Sequence, residues 1–468
     1  MIVLSLQSGT SADGIDVAVV EIVPVGRVAS ASERIETRNA QGLDTRPPSS
    51  GARSRYGAGA PPRPTAISLT VHHTETVDWE PDLRAQILAV AAGEALDAGA
   101  WTRLTTRLGQ SFAEAAARGI RESGVTPDLI VSHGQTVYHW VESGHARGTL
   151  QLGEPAWIAE RTGVPVLSDV RMADIAAGGE GAPLMAAFDR AWLGADARAE
   201  GRSIATVNLG GIANVQLVGT DGEVVAFDSG PGNCLIDAVV DRHSRGVDGF
   251  DDGGRLAAAG RVHDGLLAQL LRHPYFAAPT PKSTGRETFD LGLVDAAIVA
   301  SGAFGLGVHD LVATLTELTA RSVIEAITTE RADQPAALVC SGGGTLNPVL
   351  LARLTTLGVE RGIAVESSAD RGIDPAFKES LLFAFLGYCS WHGVPFPLGR
   401  DTSGRVLGRL SPAAGPLRLP EPLAEGTSVA IERVGHIERV ERAELDELDE
   451  RIERVELDER IESGGGAR

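Results

Sequence analysis

QSGTSADGID, residues 7–16, lies between two apolar runs of β character, Ile2–Leu6 and Ile15–Val23, with Ile15, Val17 and Val19 alternating in the second. A glycine-rich segment in that setting joins strand to strand. A Walker loop joins strand to helix and ends in GKS or GKT, and a dinucleotide fingerprint needs a helix directly after its glycines. Neither fits. What remains is a β-hairpin whose small residues, from Gly9 through Ala12, Gly14 and Ile15, let backbone N–H groups approach an anion, with Thr10 and Ser11 adding hydroxyls. Asp13 and Asp16 are candidates to hold Mg2+, directly or through water, because a hard cation takes oxygen ligands. Taken alone, an ordinary turn explains the same residue types.

The design recurs near the start of the second half of the chain. Residues 203–219, SIATVNLGGIANVQLVG, read as a strand through Val207, a Gly210-Gly211 turn and a strand from Ile212 to Val218, with Asn208 beside the turn. Two such hairpins about 200 residues apart suggest two related lobes facing a nucleotide. In FDSGPGNCLIDAVV, Asp228, Gly230 and Gly232 precede a helix starting near Asn233 or Cys234, a setting that suits metal and phosphate and also an ordinary capped helix. In ALVCSGGGTLNPVLLARL a buried strand, Ala337–Cys340, runs into Gly342, Gly343 and Gly344 and then a helix; GGGxxN lacks the dinucleotide spacing. In a two-lobed ATPase these glycines are expected to contact adenosine.

Strand and helix patterns alternate through the body of the chain, which indicates an α/β protein. Asp82–Leu96 and Arg103–Glu122 read as helices. Leu129–Ser132 and Val164–Ser168 read as short buried strands that open onto HGQT and DVRMAD, and open α/β sheets place chemistry at such strand ends. Two segments read as additions. Val25 to about Thr65 is rich in Arg, Pro, Ser and Gly with few large apolar residues, so a mobile loop is expected. The acidic stretch from about Gly426 carries Leu445, Leu448, Ile452 and Val455 on one helical face. A solvated, partly helical tail and a short coiled coil joining two chains as a homodimer both fit it.

At 468 residues, against a usual domain length of about 150, two lobes with additions are expected: 1–200, 201–425 with a last helix near 375–392 that returns to the first lobe, and a 426–468 tail. The three cysteines have no CxxC spacing, which argues against a disulfide framework or structural zinc. No apolar run approaches the roughly 20 residues that span a bilayer, and no export signal is visible, so a cytoplasmic protein is expected. A net charge of −20 opposes nucleic acid and anionic membranes, both of which need clustered Lys and Arg. A small-molecule partner is favoured.

Two phosphate hairpins and a late GGG loop resemble the actin-like ATPase and sugar-kinase superfamily. The set SGTSADGID, SHGQTVYH, LQLGEPAWIAERTGVPV, SDVRMADIAAGGEGAPL, NLGGIANV, FDSGPGN and KSTGRETF, from residue 2 to about Leu410, is similar to the anhydro-N-acetylmuramic acid kinase family. The resemblance implies a two-lobed, ribonuclease H-like α/β fold with a nucleotide cleft. It also implies ATP-dependent opening of the 1,6-anhydro ring with phosphorylation of the 6-oxygen, giving N-acetylmuramic acid 6-phosphate and ADP in cell-wall recycling. Another sugar or carboxylate kinase of the superfamily, or a non-catalytic actin-like protein, are the alternatives.

By the resemblance, Asp174 matches the family's catalytic aspartate, which takes a proton from the attacking water. Gly9 to Asp16 would form one side of a phosphate clamp and Asn208, Gly210 and Gly211 the other, with Mg2+ near Asp13, Asp16 and Asp228. His133, Gln135, Glu154 and Arg171 would line the sugar pocket, with Arg171 suited to pair with the lactyl carboxylate. Lys282, Ser283, Thr284 and Glu287 could close over the cleft. The sequence departs from the family at Glu180, where GGQGAPL is usual. A second carboxylate so near Asp174 is expected to raise its pKa or repel a carboxylate-bearing sugar.

Overall fold

The computed structural model describes residues 1–9, 12–25, 65–330, 334–396, 398, 404–423 and 427–437. Thr10, Ser11, nearly all of the 25–65 insertion and the Leu445–Val455 stripe lie outside the described residues. Residues 1–435 form one compact unit.

The strands are β1 (Ile2–Ser8), β2 (Ile15–Pro24), β3 (Thr65–Val77), β4 (Leu129–Glu142), β5 (His145–Leu152), β6 (Val166–Ser168), β7 (Ile204–Leu209), β8 (Ile212–Val218), β9 (Val224–Pro231), β10 (Ala337–Ser341), β11 (Ala364–Ser367), β12 (Arg409–Ser411) and β13 (Val429–His436). The helices are α1 (Pro81–Ala91), α2 (Ala98–Ser123), α3 (Pro155–Thr162), α4 (Met172–Ala176), α5 (Met185–Glu200), α6 (Cys234–Ser244), α7 (Arg255–Ala259), α8 (Asp264–Leu270), α9 (Leu291–Ser301), α10 (Val308–Thr329), α11 (Pro348–Val359) and α12 (Lys378–Trp391).

They build two sheets with one shared plan. The first runs β12-β6-β4-β1-β2-β3-β13, with β5 hairpinned onto β4, and the second runs β11-β10-β7-β8-β9. In the first, β1, β2 and β3 form an antiparallel meander while β4 and β6 add in parallel beyond β1. In the second, β7, β8 and β9 form the meander and β10 and β11 add in parallel beyond β7. The five central strands therefore have the same order and directions in both sheets. This is the duplicated ribonuclease H-like arrangement, and the paired hairpins in the sequence are its first two strands in each copy.

The sheets are tied by helices that leave one and pack on the other. α5 follows β6 but packs on β7, β8 and β9, whereas α12 follows β11 and packs on β1, β2 and β4. α12 fits closely: a Cβ on Gly387 would sit 2.2 Å from Val131. Val3, Val131, Phe188, Ile204, Val339 and Phe385 share one apolar cluster that draws on both sheets, so the sheets bury surface against a common core.

The acidic tail requires a correction. β13 adds to the free edge of β3, Thr65 N–H donates to Ser428 O at 2.8 Å, and Val429 and Ile431 are buried. Buried Val429 and Ile431 alternate with Ala430 and Glu432, a strand periodicity that the surrounding charge obscured. Deleting residues from 427 onward is thus expected to destabilise the protein, since burying each such side chain contributes about 1.5–3 kcal/mol. Calorimetry would show a lowered melting temperature, and an unchanged one would mean that the strand is dispensable.

Candidate functional site

The first hairpin is braced from three directions. Gln135 Nε2 donates to Gly9 O at 3.0 Å, Ala12 N–H closes the turn onto Gly9 O at 3.1 Å, and Arg84 donates to Ala12 O at 2.8 Å and to Asp13 Oδ1 at 3.2 Å. Ala12 is fully buried with φ 50°. Gly14 is required by contact, because a Cβ there would lie 2.6 Å from Thr76 Cγ2. Gln135, expected in the sugar pocket, uses its amide N–H to hold the phosphate turn against β4, and its buried Oε1 has no donor among the described residues.

Of the three expected metal ligands, Asp13 alone keeps a carboxylate oxygen with no hydrogen bond among the described residues. Asp16 Oδ2 accepts from Gln7 Nε2 at 2.5 Å and Oδ1 from Thr76 at 2.7 Å; burial raises its pKa. Asp228 is used structurally: Oδ1 accepts from Asn214 Nδ2, and Oδ2 from Thr284 N–H at 2.9 Å and Ser283 Oγ at 3.3 Å. It anchors the KSTGRETF loop to β8. The structure adds Asp237, in the first turn of α6, which makes no side-chain hydrogen bond among the described residues. Burial raises its carboxyl to about 6, the Arg286 charge opposes that rise, and Asp13 adds to it. This coupling relates Asp13 of the first hairpin to the helix that follows the second.

Gly210 and Gly211 form the two-residue turn between β7 and β8. The GGG loop abuts the same strand: a Cβ on Gly342 would lie 2.3 Å from Asn208 Oδ1, and one on Gly344 2.6 Å from Leu209 Cβ, while Gly343 faces open space. Two of the three glycines expected to contact adenosine are thus accounted for by packing against β7. Gly230, with φ 150°, is pressed against Phe276.

The sugar-side residues form a connected chain. The buried His133 Nδ1–H donates to Gly134 O at 3.1 Å, which leaves Nε2 to accept from Arg171 Nε at 3.1 Å. Burial, with the Arg171 charge, lowers the His133 pKa to about 3, so the ring is neutral and this tautomer is consistent. Arg171 Nη1 donates to Gly181 O at 2.8 Å, and Gly181 N–H donates to Asp174 Oδ2 at 2.8 Å. Asp174 is 1% exposed in the first turn of the short α4. Gly179 N–H bonds to its backbone carbonyl at 2.9 Å, and a Cβ on Gly179 would lie 2.2 Å from Oδ2. The Ala-Gly stretch therefore wraps the carboxylate closely. Oδ1 has no donor among the described residues.

Glu154 stands apart from this chain. It is exposed, caps α3 by accepting from Ala156 N–H at 3.3 Å, and makes no hydrogen bond to the His133–Arg171 pair. Glu180 is corrected too: Oε2 accepts from Ala146 N–H at 2.6 Å and Oε1 meets His145 Nδ1 at 3.0 Å. The Ala146 bond, with His145, lowers its pKa, and the carboxylate is engaged with β5 rather than turned on Asp174. Glu180→Gln is expected to leave turnover within about fivefold at all pH values, since exposed pairs contribute at most about 1 kcal/mol. A displaced pH profile would show that Glu180 acts on the base.

Glu379, like Asp237, is not among the residues expected from the sequence. It lies in the first turn of α12 and is accessible to solvent. Burial raises its pKa, while the Arg171 charge lowers it and Asp16 raises it further. It lies within electrostatic reach of both the first hairpin and the sugar-side chain. The available signal was Lys378-Glu379, a charged pair opening the otherwise apolar SLLFAFLGYC.

A family model described as anhydro-N-acetylmuramic acid kinase matches residues 66–412. A Streptomyces coelicolor protein of that name is 47% identical over 69% of this chain and 81% of its own. One of the same name from Streptomyces avermitilis is 42% identical over 92% of this chain and 99% of its own. Among solved structures, a ROK hexokinase from Thermus thermophilus is 17% identical, covering 83% of this chain and 98% of that one, with a TM-score of 0.30, too distant a superposition to bear on the fold.

Proposed function

The chain belongs to the anhydro-N-acetylmuramic acid kinase family, and from that premise we propose that it uses ATP to open and phosphorylate anhydro-N-acetylmuramic acid. Water adds at the anomeric carbon as the bond from that carbon to O6 breaks, Asp174 takes the water's proton, and O6 accepts the γ-phosphoryl group. The products are N-acetylmuramic acid 6-phosphate and ADP.

The single observation that carries this reading is the chain from neutral His133 through Arg171 and Gly181 to Asp174. It fixes a carboxylate by one oxygen and leaves the other free to accept a proton. It also leaves Arg171 Nη2 without an acceptor among the described residues, available to the substrate's lactyl carboxylate. Burial lowers the Arg171 pKa, and a bound carboxylate would favour its charged form.

Among the described residues, no three His, Cys, Asp or Glu side chains cluster as a metal site. Mg2+ in a kinase is held chiefly by phosphates and water with one or two carboxylates, so the reading does not call for such a cluster. Asp13 and Asp237 have the free carboxylate oxygens to do this; Asp16 and Asp228 do not. When bound, Mg2+ would neutralise phosphate charge during transfer. No helix among the described residues is long and apolar enough to cross a membrane, and a cytoplasmic setting fits a substrate released by cell-wall turnover.

The test is to incubate the protein with Mg-ATP and purified anhydro-N-acetylmuramic acid and to follow the sugar by mass spectrometry. A gain of one water and one phosphate supports the proposal. Absence of that product at high enzyme concentration overturns it.

A further inference from the structure

We propose that Arg286 supplies the positive charge of the second phosphate hairpin, its guanidinium contacting the terminal phosphates of the bound nucleotide. The inference rests on the kinase reading and adds a residue to it. It begins from what is already engaged around the Gly210-Gly211 turn. The N–H groups at the entrance to α6, the usual anion donors at a helix start, bond to the turn itself: Gly232 and Cys234 to Gly211 O at 2.9 and 3.1 Å, and Asn233 to Gly210 O at 2.8 Å. Asp228 is occupied by the loop it anchors. Lys282, the neighbouring cation, donates to Tyr275 O at 3.0 Å and Phe276 O at 3.1 Å and lies over the Tyr275 ring.

Arg286 differs from all of these. Its Nε and Nη2 each lie 3.3 Å from where a Cβ on Gly211 would stand, so the guanidinium rests against the glycine turn. It is exposed and has no hydrogen bond or ion pair with any described residue. Its placement is nevertheless defined. Asp228 N–H donates to Lys282 O at 3.0 Å and Asp228 Oδ2 accepts from Thr284 N–H. Thr288 N–H closes onto Gly285 O at 3.1 Å, and Phe289 is buried. The charge of Arg286 acts on Cys234 and Asp237 at the start of α6.

In a chain of net charge −20, a cation fixed beside the turn and left unpaired lacks an anion, and a nucleotide's phosphates would provide one. Arginine's planar fork matches phosphate oxygens, and phosphoryl transfer depends on charge placed where it develops. Asp228 becomes a positioning residue: it acts through the loop that presents Arg286.

The test compares wild type with Arg286→Ala and Arg286→Lys. ADP and adenosine are titrated calorimetrically without sugar, and kcat and KM are measured with anhydro-N-acetylmuramic acid. In Arg286→Ala, ADP binding should weaken about 10–100-fold, the value of a charge-assisted hydrogen bond. Adenosine binding and the sugar KM should hold, and kcat should fall about 100–1,000-fold. Lysine should keep part of the activity, and millimolar guanidinium should restore part of it to the alanine variant, an effect that a merely structural arginine would not give. ADP binding and kcat within threefold of wild type, or no gain from either lysine or guanidinium, would overturn the proposal. If wild type made no phosphorylated sugar, the kinase reading would fail, while the ADP and adenosine titrations would still decide for or against Arg286.

Discussion

Asp174→Asn is expected to lower turnover by about 100–10,000-fold, the usual contribution of a positioned general base, while nucleotide binding stays normal. The substitution is nearly isosteric. The side-chain oxygen can still accept from Gly181 N–H, so the loop that wraps the carboxylate keeps its shape. What disappears is the proton acceptor at the position now held by Oδ1. Because Gly179 approaches so closely, larger replacements would disturb the loop itself, which makes asparagine the informative variant. An interaction used only in the transition state lowers kcat and kcat/KM together, so the sugar KM should change little. Steady-state kinetics with calorimetric ADP binding checks this, and near-normal turnover would refute the role of Asp174 as base.

The second large effect is on stability. Lys378 Nζ lies 2.8 Å from Asp189 Oδ1 and 3.0 Å from Oδ2, and both side chains are buried, at 4% and 0% exposure. Thr206 Oγ1 donates to Asp189 Oδ2 at 2.6 Å and has Gln216 Oε1 2.8 Å away. The Lys378 ammonium also sits over the Trp192 ring. The pair joins α5, α12 and β7, the elements by which the two sheets exchange helices. Removing one partner strands a buried charge and typically costs about 3–5 kcal/mol. Lys378→Met alone is therefore expected to lower the denaturant midpoint sharply. Lys378→Met with Asp189→Leu should recover much of the loss, since replacing a whole buried pair by apolar side chains is often near neutral. A double variant no better than the single one would argue against this account.

The same network bears on Glu379. Lys378 and Glu379 are adjacent, and their side chains have different settings: Lys378 is buried in the shared core, whereas Glu379 is exposed within electrostatic reach of Arg171. Helical geometry turns successive residues about 100° apart, so neighbours at a helix start can serve a core and a site at once. Sequence periodicity shows α12 as apolar and does not show which way its two charged residues turn.

Local chemistry made much of this protein legible in its sequence. Strand-glycine-strand patterns gave both hairpins, because small, glycine-containing turns, six residues in the first and Gly210-Gly211 in the second, and alternating apolar residues constrain the backbone within a few positions. Their repetition gave the two-sheet plan, and the density of ordered motifs gave the family. Asp174 stood out because its whole neighbourhood matched. The tertiary structure alone decided which polar groups are free. Asp16, Asp228, Gln135 and Glu154 have side chains suited to a site, yet each is engaged with donors or acceptors distant in sequence or set by a helix start. Asp237, Glu379 and Arg286, unremarkable as letters, are left without a side-chain hydrogen bond among the described residues, as one oxygen of Asp13 is. A hydrogen-bonding group's availability depends on what the fold brings within about 3 Å of it, and those partners come from strands and helices tens to hundreds of residues away.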